Sequence, residues 1–322
     1  MKNVRWGVLG TAGIARSQTI PAMQQAENCD LCAIAGRDPE KARSFQEEFG
    51  FEKVYTDYDV LLADPDVEAV YIPLPNDLHY EWVLRALTAG KHVLCEKPLA
   101  LNEAQEDEMF RTAEANNVYL MEAFAYLHSP LIAAVKRELD AGTIGEVRYL
   151  ASAFLGGLPR KGDYRWRKSA GGGAAYDLCC YPIGLALWLL GREPDRVRAM
   201  AQFSDQGVDL FTSVMFQYKD GLVASLDGGM LENAPRMDRF HILGTWGEIY
   251  SPVQFNQCGE IPYTVVRDGK EETKTILVPN NYRLELEQLS RCVRREEKPM
   301  VTRSFSMSVA RTLDKVLKEI GY

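Results

Sequence analysis

The sequence predicts an α/β fold in which a doubly wound parallel sheet comes first and a second domain with a mostly antiparallel, open sheet follows. Three observations support this prediction. Strand and helix signals alternate through the first part of the chain, small residues form a turn after the first strand, and longer strands separated by glycine-containing turns fill the rest. A chain of 322 residues has the length of two domains. We place them at residues 1–122 and 123–322, where the pattern changes.

The first domain repeats one βα unit along its length. Short apolar runs predict strands at residues 5–9, 31–35, 54–55, 68–72, 92–96 and 118–121. Helices are predicted between them at residues 14–26, 39–49, 57–62, 78–89 and 102–116. Pro39 stands in the favoured first turn of its helix, and Asn102 caps another. Repeated βα units of this length imply parallel strands joined by helices.

The second domain has a different periodicity. After a helix at residues 130–140, alternating segments predict strands at residues 147–154, 197–203, 212–218, 222–227, 238–244 and 263–267. Glycine turns such as Lys219-Asp220-Gly221 separate several of them, as in hairpins. Two terminal helices follow at residues 283–296 and 305–320. We therefore predict an α+β domain with a mostly antiparallel sheet.

Composition and charge exclude several classes of protein. With 46% apolar and 25% charged residues the chain is typical of globular proteins, and its net charge of −8 argues against a nucleic-acid or anionic-membrane partner. No apolar run reaches the roughly 20 residues of a membrane span, and the start enters a strand without room for a signal peptide. Seven cysteines without framework spacing fit a reducing cytoplasm. The CxxC pair of Cys29 and Cys32 lacks further ligands, so we expect no metal site.

The turn after the first strand is Gly10-Thr11-Ala12-Gly13-Ile14. A turn at this position leaves backbone N–H groups directed at a pyrophosphate, assisted by the helix dipole, provided that its residues are small. The pattern departs from strict G-x-G-x-x-G because Ala12 and Ala15 occupy the second and third glycine positions. A plain tight turn is the alternative. Its place at the first βα junction favours a dinucleotide site of the Rossmann type.

The end of the second strand bears on the choice of cofactor. An acidic residue there binds the ribose 2′-hydroxyl of NAD, whereas this chain has Gly36 followed by Arg37 and Asp38. The Arg37 guanidinium can bind a 2′-phosphate and stack on the adenine, which favours NADP over NAD. Asp38 serves as the ribose acid instead if the strand ends one residue later.

Polar residues also follow the fourth and fifth strands, at the edge of the sheet where ligands bind. After the fourth strand come Pro75, Asn76 and His79, which we predict to line the cofactor site; the alternative for Asn76 and His79 is a role at the helix start. After the fifth come Glu96 and Lys97, also predicted to be cofactor residues, and Pro98, which fixes the backbone. A solvated strand-to-loop junction is the alternative for this tripeptide.

In the second domain a glycine run precedes Asp177 and Tyr181, which are four residues apart and therefore share one face of a helix. A tyrosine hydroxyl can exchange a proton with a carbinol or carbonyl oxygen, and a nearby cation such as Lys97 would help by lowering its pKa. Asp177 can bind a sugar hydroxyl or orient that proton. Pro182 disturbs this geometry because it kinks the helix and biases Tyr181 away from helical torsion angles. A buried helix with one polar corner is the alternative.

Three further residues are predicted to contact substrate. Arg165 and Trp166, just before the glycine run, can bind sugar hydroxyls by hydrogen bonds and ring stacking. His128 lies near the domain junction. The spread of His, Asp and Cys residues forms no metal-binding pattern.

Together these motifs resemble the Gfo/Idh/MocA family, named for glucose–fructose oxidoreductase and inositol dehydrogenase. The resemblance rests on GTAGIA at 10–15, GRDPEKA at 36–42, PNDLHYEWVLRALTAGKHVLCEKPL at 75–99 and GGGAAYDLCCYPI at 171–183. The chain is most similar to the branch with dimeric dihydrodiol dehydrogenase and NADP-dependent D-xylose dehydrogenase. Members of that branch often have the segment MEAF, here residues 121–124, and a tyrosine where inositol dehydrogenase has histidine.

The resemblance implies roles for individual residues. Lys97 would be the catalytic lysine, Tyr181 the general acid/base and Asp177 the carboxylate that orients substrate. The Lys97–Pro98 bond is often cis in the family, which would make Pro98 part of the positioning. The family fold also implies a homodimer or homotetramer formed through the open sheet of the second domain.

The sequence thus predicts an NADP-dependent oxidoreductase that transfers a hydride between nicotinamide and a sugar or related polyol or dihydrodiol. Residues 1–122 would bind the dinucleotide, and residues 123–322 would bind substrate and form the dimer. One alternative is an enzyme of the same fold that keeps a tightly bound cofactor as a redox relay for lyase or glycosidase chemistry. Another is a non-catalytic NADP-sensing protein, against which the intact set of Lys97, Asp177 and Tyr181 argues.

Overall fold

The computed structural model describes residues 2–232, 236–252 and 255–322. The chain forms two units, each made of two segments: unit 1 comprises Met1–Ala125 and Tyr282–Ser306, and unit 2 comprises Tyr126–Asn281 and Met307–Tyr322. Residues 282–306, which the sequence boundary assigns to the second domain, lie in unit 1 because they bond to its first strand. The buried indole N–H of Trp6, for example, donates to the hydroxyl of Ser290 at 3.1 Å.

Among the described residues of unit 1, six strands form one sheet: β1 (Val4–Leu9), β2 (Cys29–Ala35), β3 (Lys53–Tyr55), β4 (Ala69–Ile72), β5 (His92–Cys95) and β6 (Leu120–Glu122). Their order is β3-β2-β1-β4-β5-β6, and every neighbouring pair is parallel. The sheet grows outward from β1 in both directions, as in a doubly wound fold. The predicted Rossmann-type sheet is confirmed, and the carboxyl ends of its strands lie along one edge.

The helices that join these strands are α1 (Ile20–Gln25), α2 (Pro39–Phe49), α3 (Tyr58–Ala63), α4 (Asn76–Thr88) and α5 (Glu103–Ala115). A π-helical turn at Ala15–Thr19 leads directly into α1. Side-chain caps define two of the helix starts: the Asp38 carboxylate accepts from two amides in the first turn of α2, and the Asn102 oxygen accepts from the backbone of Gln105. α2 ends at Gly50, whose φ of 78° suits glycine.

The described strands of unit 2 form a second sheet: β7 (Val147–Gly157), β8 (Arg196–Phe203), β9 (Asp209–Gln217), β10 (Val223–Leu231), β11 (Met237–Gly244), β12 (Gly247–Ser251), β13 (Gly259–Arg267) and β14 (Lys270–Val278). The order is β14-β13-β12-β11-β7-β10-β9-β8, with only β7 and β10 parallel, so the mostly antiparallel sheet is confirmed. The sequence predicts neither β12 nor β14. β12 has only five residues, and β14 is a polar edge strand with most of its residues exposed.

The remaining helices are α6 (Pro130–Asp140), α7 (Cys180–Leu190), α8 (Asn281–Val293) and α9 (Arg303–Ile320). A π-helical turn at Ala175–Cys179 leads into α7, which packs against β7 and β10. Within the described residues, Lys168–Leu190 has the length and composition of a membrane-crossing helix, although the sequence predicts no such segment. Its most apolar window is 83% buried inside the structure. The composition is therefore that of a core helix packed on a sheet.

Candidate active site

The turn between β1 and the first helix is shaped by glycine. Gly10 has a φ of 113°, and a Cβ there would lie 2.8 Å from the side chain of Leu74. Gly13 has nothing within 4 Å of the position of a Cβ, so the turn is open beside it. The bond from the Arg16 amide to the Ala12 carbonyl at 3.2 Å begins the helical ladder, and the amides before it have no partner within the helix. An open, small-residue turn with such amides fits a pyrophosphate.

The end of β2 has no room for an acidic side chain. A Cβ on Gly36 would lie 2.9 Å from the methyl group of Thr11. The Asp38 carboxylate, the alternative ribose acid, caps α2 through its Oδ1, which accepts from two first-turn amides at 3.0 and 3.2 Å. Arg37 is exposed at this edge, and its charge and hydrogen bond partly offset the burial that raises the pKa of Tyr58. The residues at this strand end fit a 2′-phosphate better than a ribose hydroxyl.

The segment after β5 is held by a chain of hydrogen bonds. The Tyr71 hydroxyl, buried on β4, donates to Glu96 Oε1 at 2.6 Å and accepts from Thr19 Oγ1 at 3.0 Å. Burial and the Glu96 carboxylate both raise the pKa of Tyr71, so this hydroxyl keeps its proton as a donor. The Lys97–Pro98 peptide bond is cis, as the family resemblance implies. Glu96 is thus fixed beside the predicted catalytic lysine.

His79 binds two backbone carbonyl groups, and no side chain among the described residues caps the start of its helix. The residue is fully buried, with Nδ1 2.9 Å from the Pro98 carbonyl oxygen and Nε2 2.8 Å from the Leu74 carbonyl oxygen. Burial lowers the pKa of His79, and the two carbonyl groups raise it. His79 therefore links the loop before α4 to the segment after β5, and its place in the cofactor site stays a prediction. Asn76 is also buried at the start of α4, and half-buried Pro75 precedes it.

In unit 2, Asp177 lies in the π-helical turn and Tyr181 in the first turn of α7. The expectation that Pro182 biases Tyr181 away from helical geometry is wrong. The π-helical turn ends before the proline, so Pro182 falls in the first turn of α7, where a missing N–H costs little. The wider turn also changes the side-chain register that a regular helix would give Asp177 and Tyr181.

The predicted substrate residue Arg165 binds Asp177. Arg165 Nε lies 2.8 Å from Asp177 Oδ2, and Nη2 lies 3.2 Å from Oδ1. Asp163 adds a contact of 3.2 Å between its Oδ1 and Arg165 Nη1. Burial lowers the pKa of Arg165, but the two carboxylates outweigh it and the net shift is upward. This pairing explains how a carboxylate is tolerated in so apolar a helix.

The other two predicted substrate residues have different surroundings. The Trp166 indole N–H donates to the carbonyl oxygens of Pro159 and Arg160, at 3.2 and 3.1 Å, and so is committed to its own loop. The ring remains half-buried and able to stack. Half-buried His128 ends the 3₁₀ turn Ala125–His128 before α6. Contact of both residues with substrate stays a prediction.

Three aromatic side chains surround Tyr181, and sequence reasoning does not identify them. The ring centroids of Phe154, Phe255 and Tyr126 lie 4.9, 5.2 and 5.5 Å from that of Tyr181. The Tyr126 hydroxyl also donates to the Tyr181 carbonyl oxygen at 3.1 Å. Packing of this kind restricts a phenol ring to one orientation.

A buried carboxylate explains the glycine run before Asp177. Asp209 is fully buried, and its Oδ2 accepts from the Ala175 amide at 2.7 Å and from the Thr212 hydroxyl at 2.6 Å. Gly173 has a φ of 93°, and a Cβ there would lie 2.0 Å from Asp209 Oδ1. The glycine run lets the backbone approach Asp209, which anchors the start of the helix. The sequence shows the glycine run, but it does not show that Asp209 is the residue that packs against it.

In the part of the chain that the structure describes, no group of three or more His, Cys, Asp or Glu side chains is arranged to hold a metal ion.

Comparison with known proteins identifies the family. Residues 4–124 match the Gfo/Idh/MocA oxidoreductase family with its NAD-binding Rossmann fold, and residues 132–250 match the Gfo/Idh/MocA C-terminal domain. The chain is also 37% identical to D-xylose 1-dehydrogenase (NADP(+)) 2 of Haloferax volcanii, over 97% of this chain and 95% of that protein. The chain belongs to the Gfo/Idh/MocA family.

Other Gfo/Idh/MocA relatives extend the comparison. Trans-1,2-dihydrobenzene-1,2-diol dehydrogenase of Xenopus tropicalis is 30% identical, over 98% of each chain. The crystal structure of a 3-ketoreductase from Actinomadura kijaniata with NADP and TDP-benzene superimposes with a TM-score of 0.93 at 32% identity, covering 99% of this chain and 98% of that one. Membership of this family confirms the prediction of an NAD(P)-dependent oxidoreductase.

Proposed function

We propose that this chain is an NADP-dependent oxidoreductase that interconverts a hydroxyl and a carbonyl group on a sugar or a related polyol or dihydrodiol. The observation that carries the cofactor choice is the end of β2. There Gly36 has no space for a side chain, the Asp38 carboxylate is engaged as a helix cap, and Arg37 is exposed. A guanidinium at this place matches a 2′-phosphate.

The substrate class follows from what the relatives have in common. Their names describe enzymes acting on D-xylose, on trans-1,2-dihydrobenzene-1,2-diol and on a dTDP-didehydro-dideoxyglucose. Each substrate is a ring compound with oxygen on neighbouring carbons. The Asp177–Arg165 pair offers both an acceptor and a donor to hydroxyl groups of that kind.

In the proposed mechanism, the turn at residues 10–14 holds the pyrophosphate and Arg37 the 2′-phosphate. When bound, NADP supplies or accepts the hydride. Tyr181 takes the hydroxyl proton during oxidation and returns it during reduction, while its ring is fixed by the aromatic cluster. A catalytic lysine, the role predicted for Lys97, would favour the deprotonated form of that phenol. Asp177, held by Arg165, orients the substrate hydroxyl groups.

A cofactor and substrate screen tests this proposal. NADP and NAD are compared across a panel of aldoses, inositols and dihydrodiols, with absorbance of the reduced nicotinamide as the readout. Lys97→Met and Tyr181→Phe should retain NADP binding and lose turnover by on the order of 10²- to 10⁴-fold. Near-normal turnover by Lys97→Met would contradict the mechanism. Purified protein with tightly bound cofactor and no net change in NADPH during turnover would favour a redox relay instead.

Location and assembly belong to the same proposal. All seven cysteines are free thiols, which supports a reducing cytoplasm. On the sheet of unit 2, Met200 of β8 is 80% exposed and Met215 of β9 is 45% exposed. Residue 215 pairs with 198 across the strands, so the two methionines lie on the same face. Two exposed methionines on one face of the sheet support a homodimer or homotetramer formed through it.

A further inference from the structure

The segment MEAF contains a buried carboxylate to which the mechanism assigns no task. Glu122 ends β6 and exposes only 1% of its surface. β6 runs parallel to β5 with Glu122 opposite Cys95, the last residue before the Glu96-Lys97-Pro98 segment. The carboxylate of Glu122 is therefore close to the start of the Glu96-Lys97-Pro98 segment.

The Glu122 carboxylate binds the backbone two residues after Lys97. Glu122 Oε1 accepts a hydrogen bond from the Leu99 amide at 3.0 Å. Proline has no N–H, so Leu99 provides the first amide after Lys97 to which a side chain can bind. From the other side, His79 meets the carbonyl group of Pro98. The backbone that follows Lys97 is therefore held at consecutive residues by two buried side chains.

Charge links the same carboxylate to the lysine. Burial is the main reason why the pKa of Glu122 is raised, to about 7; the side chain of Ser306, the Leu99 amide and the Lys97 ammonium lower it, and Glu96 raises it. By reciprocity, an ionised Glu122 favours the cationic form of Lys97. Glu122 therefore acts on the Lys97 segment both through its hydrogen bond to the Leu99 amide and through its charge.

We propose that Glu122 is a positioning residue for Lys97. Its carboxylate fixes the Leu99 amide and so sets the place of the Lys97 ammonium, while its charge supports the ammonium form. The assignment rests on the proposed function insofar as Lys97 acts in catalysis. A carboxylate that only stabilised unit 1 would have no specific effect on the lysine.

Two substitutions separate the hydrogen bond from the charge. Glu122→Gln keeps an oxygen able to accept from the Leu99 amide but removes the charge, whereas Glu122→Ala removes both. The matched control is Gln105→Ala, because the Gln105 oxygen accepts from the Leu101 amide at 3.1 Å, further along the same loop. Each variant is compared with the wild-type holoenzyme.

Catalysis provides the first readout. Because a displacement of about 1 Å at a reacting group costs on the order of 10²-fold, Glu122→Ala should lower kcat by about that factor with little change in KM for NADP. Glu122→Gln should fall between Glu122→Ala and wild type, and Gln105→Ala should match wild type. A wild-type kcat in folded Glu122→Ala would overturn the proposal.

The lysine itself provides a second readout that needs no turnover. The rate of reductive methylation of Lys97, measured by peptide mass spectrometry, and hydrogen exchange at the Leu99 amide are both expected to rise in Glu122→Ala and stay unchanged in Gln105→Ala. If wild type turns over no substrate, the proposed function fails. The rates of Lys97 methylation and Leu99 amide exchange still test the positioning role in that case. Unchanged Lys97 methylation in both Glu122 variants would refute that role. If Glu122→Ala does not fold, altered Lys97 methylation in Glu122→Gln supports it.

Discussion

The Asp177 carboxylate and the Arg165 guanidinium meet at two points, with N–O distances of 2.8 and 3.2 Å. Asp177 exposes 14% of its side chain and Arg165 30%, so the pair is largely shielded from water. A planar guanidinium matches both carboxylate oxygens at once, which an ammonium group cannot do. The orientation of Asp177 therefore depends on Arg165.

Arg165→Met should leave Asp177 as a shielded carboxylate without its main partner. We expect the free energy of unfolding to fall by about 1–3 kcal/mol and kcat/KM by more than about tenfold. Urea unfolding and steady-state assays measure the two effects. Arg160→Met, an exposed residue of the same loop, is the control and should change stability by less than about 0.5 kcal/mol. Equal losses in both variants would mean that the ion pair has no special importance.

Arg37→Ala tests the choice of cofactor. Loss of a charge-assisted hydrogen bond should raise KM for NADP by on the order of 10- to 100-fold and leave KM for NAD nearly constant. Arg43→Ala, which removes an exposed arginine from α2, serves as the matched control. The assignment of Arg37 to the 2′-phosphate fails if KM rises equally for both cofactors.

Gly173→Ala should destabilise unit 2. The new Cβ would combine a positive φ with a collision against Asp209, at an expected cost of about 2–4 kcal/mol in the free energy of unfolding. Thermal and urea unfolding provide the measurement. At Gly157 an added Cβ would meet nothing within 4 Å, so Gly157→Ala should have little effect. A stable Gly173→Ala protein would show that the glycine run has another purpose.

Stability should depend on pH through Glu285, which is buried in unit 1. Burial and the Glu96 carboxylate raise the pKa of Glu285 well above its usual value. An acid whose pKa is higher in the folded than in the unfolded state stabilises the fold at low pH, and this contribution is lost as pH rises from the unfolded pKa, near 4.3, towards the folded one. Wild type should therefore lose stability relative to Glu285→Gln as the pH rises above the unfolded pKa of about 4.3.

Urea unfolding as a function of pH measures the free energy of unfolding of wild type and Glu285→Gln. Glu68 is a control because its pKa is shifted in the opposite direction. The hydrogen bond from Arg294 is the main reason why the pKa of Glu68 is lowered. Its contribution to stability is present above the unfolded pKa and is lost as pH falls through the folded one. Glu68→Gln should therefore be less stable than wild type at neutral pH, with the difference vanishing in acid. A pH-independent difference for Glu285→Gln would contradict the assignment.

Met200→Glu tests the assembly. A charge on the exposed face of β8 should convert a dimer or tetramer to smaller species, because the carboxylate would have to be desolvated in the interface. Size-exclusion chromatography with light scattering reports the mass. Val60→Glu places the same charge on an apolar residue of unit 1 that is 52% exposed, and should leave the mass unchanged. An unchanged mass for both variants would argue against this interface.

Local signals explain which elements the sequence predicts well. α2 and α6 begin at Pro39 and Pro130, directly after the capping residues Asp38 and Ser129, and both helices match their predicted bounds. In both helices the capping residue and the proline that mark the helix start are adjacent in the sequence. No tertiary information is therefore needed to locate these starts. β14 gives no such signal, because an exposed edge strand does not need apolar side chains.

The site is predictable only where its chemistry is local in sequence. Lys97, Asp177 and Tyr181 stand in recognisable motifs, but their supporting groups come from distant segments. Asp209 reaches the glycine run from the start of β9. Phe154 contacts Tyr181 from β7, and Phe255 contacts it from the segment between β12 and β13. These side-chain contacts depend on strand order and register, which a single sequence does not specify. The two backbone carbonyl groups that His79 contacts lie in other segments and are not predictable from its motif either.

The division of each unit into two chain segments has a consequence for synthesis on the ribosome. When the first 125 residues have emerged, Trp6 and Glu68 still lack their partners Ser290 and Arg294, which are made more than half a chain later. All six strands of the parallel sheet have then been made, but unit 1 lacks residues 282–306 until unit 2 has been translated. Production of the nucleotide-binding half as an independent fragment should accordingly require residues 282–306 to be joined to it.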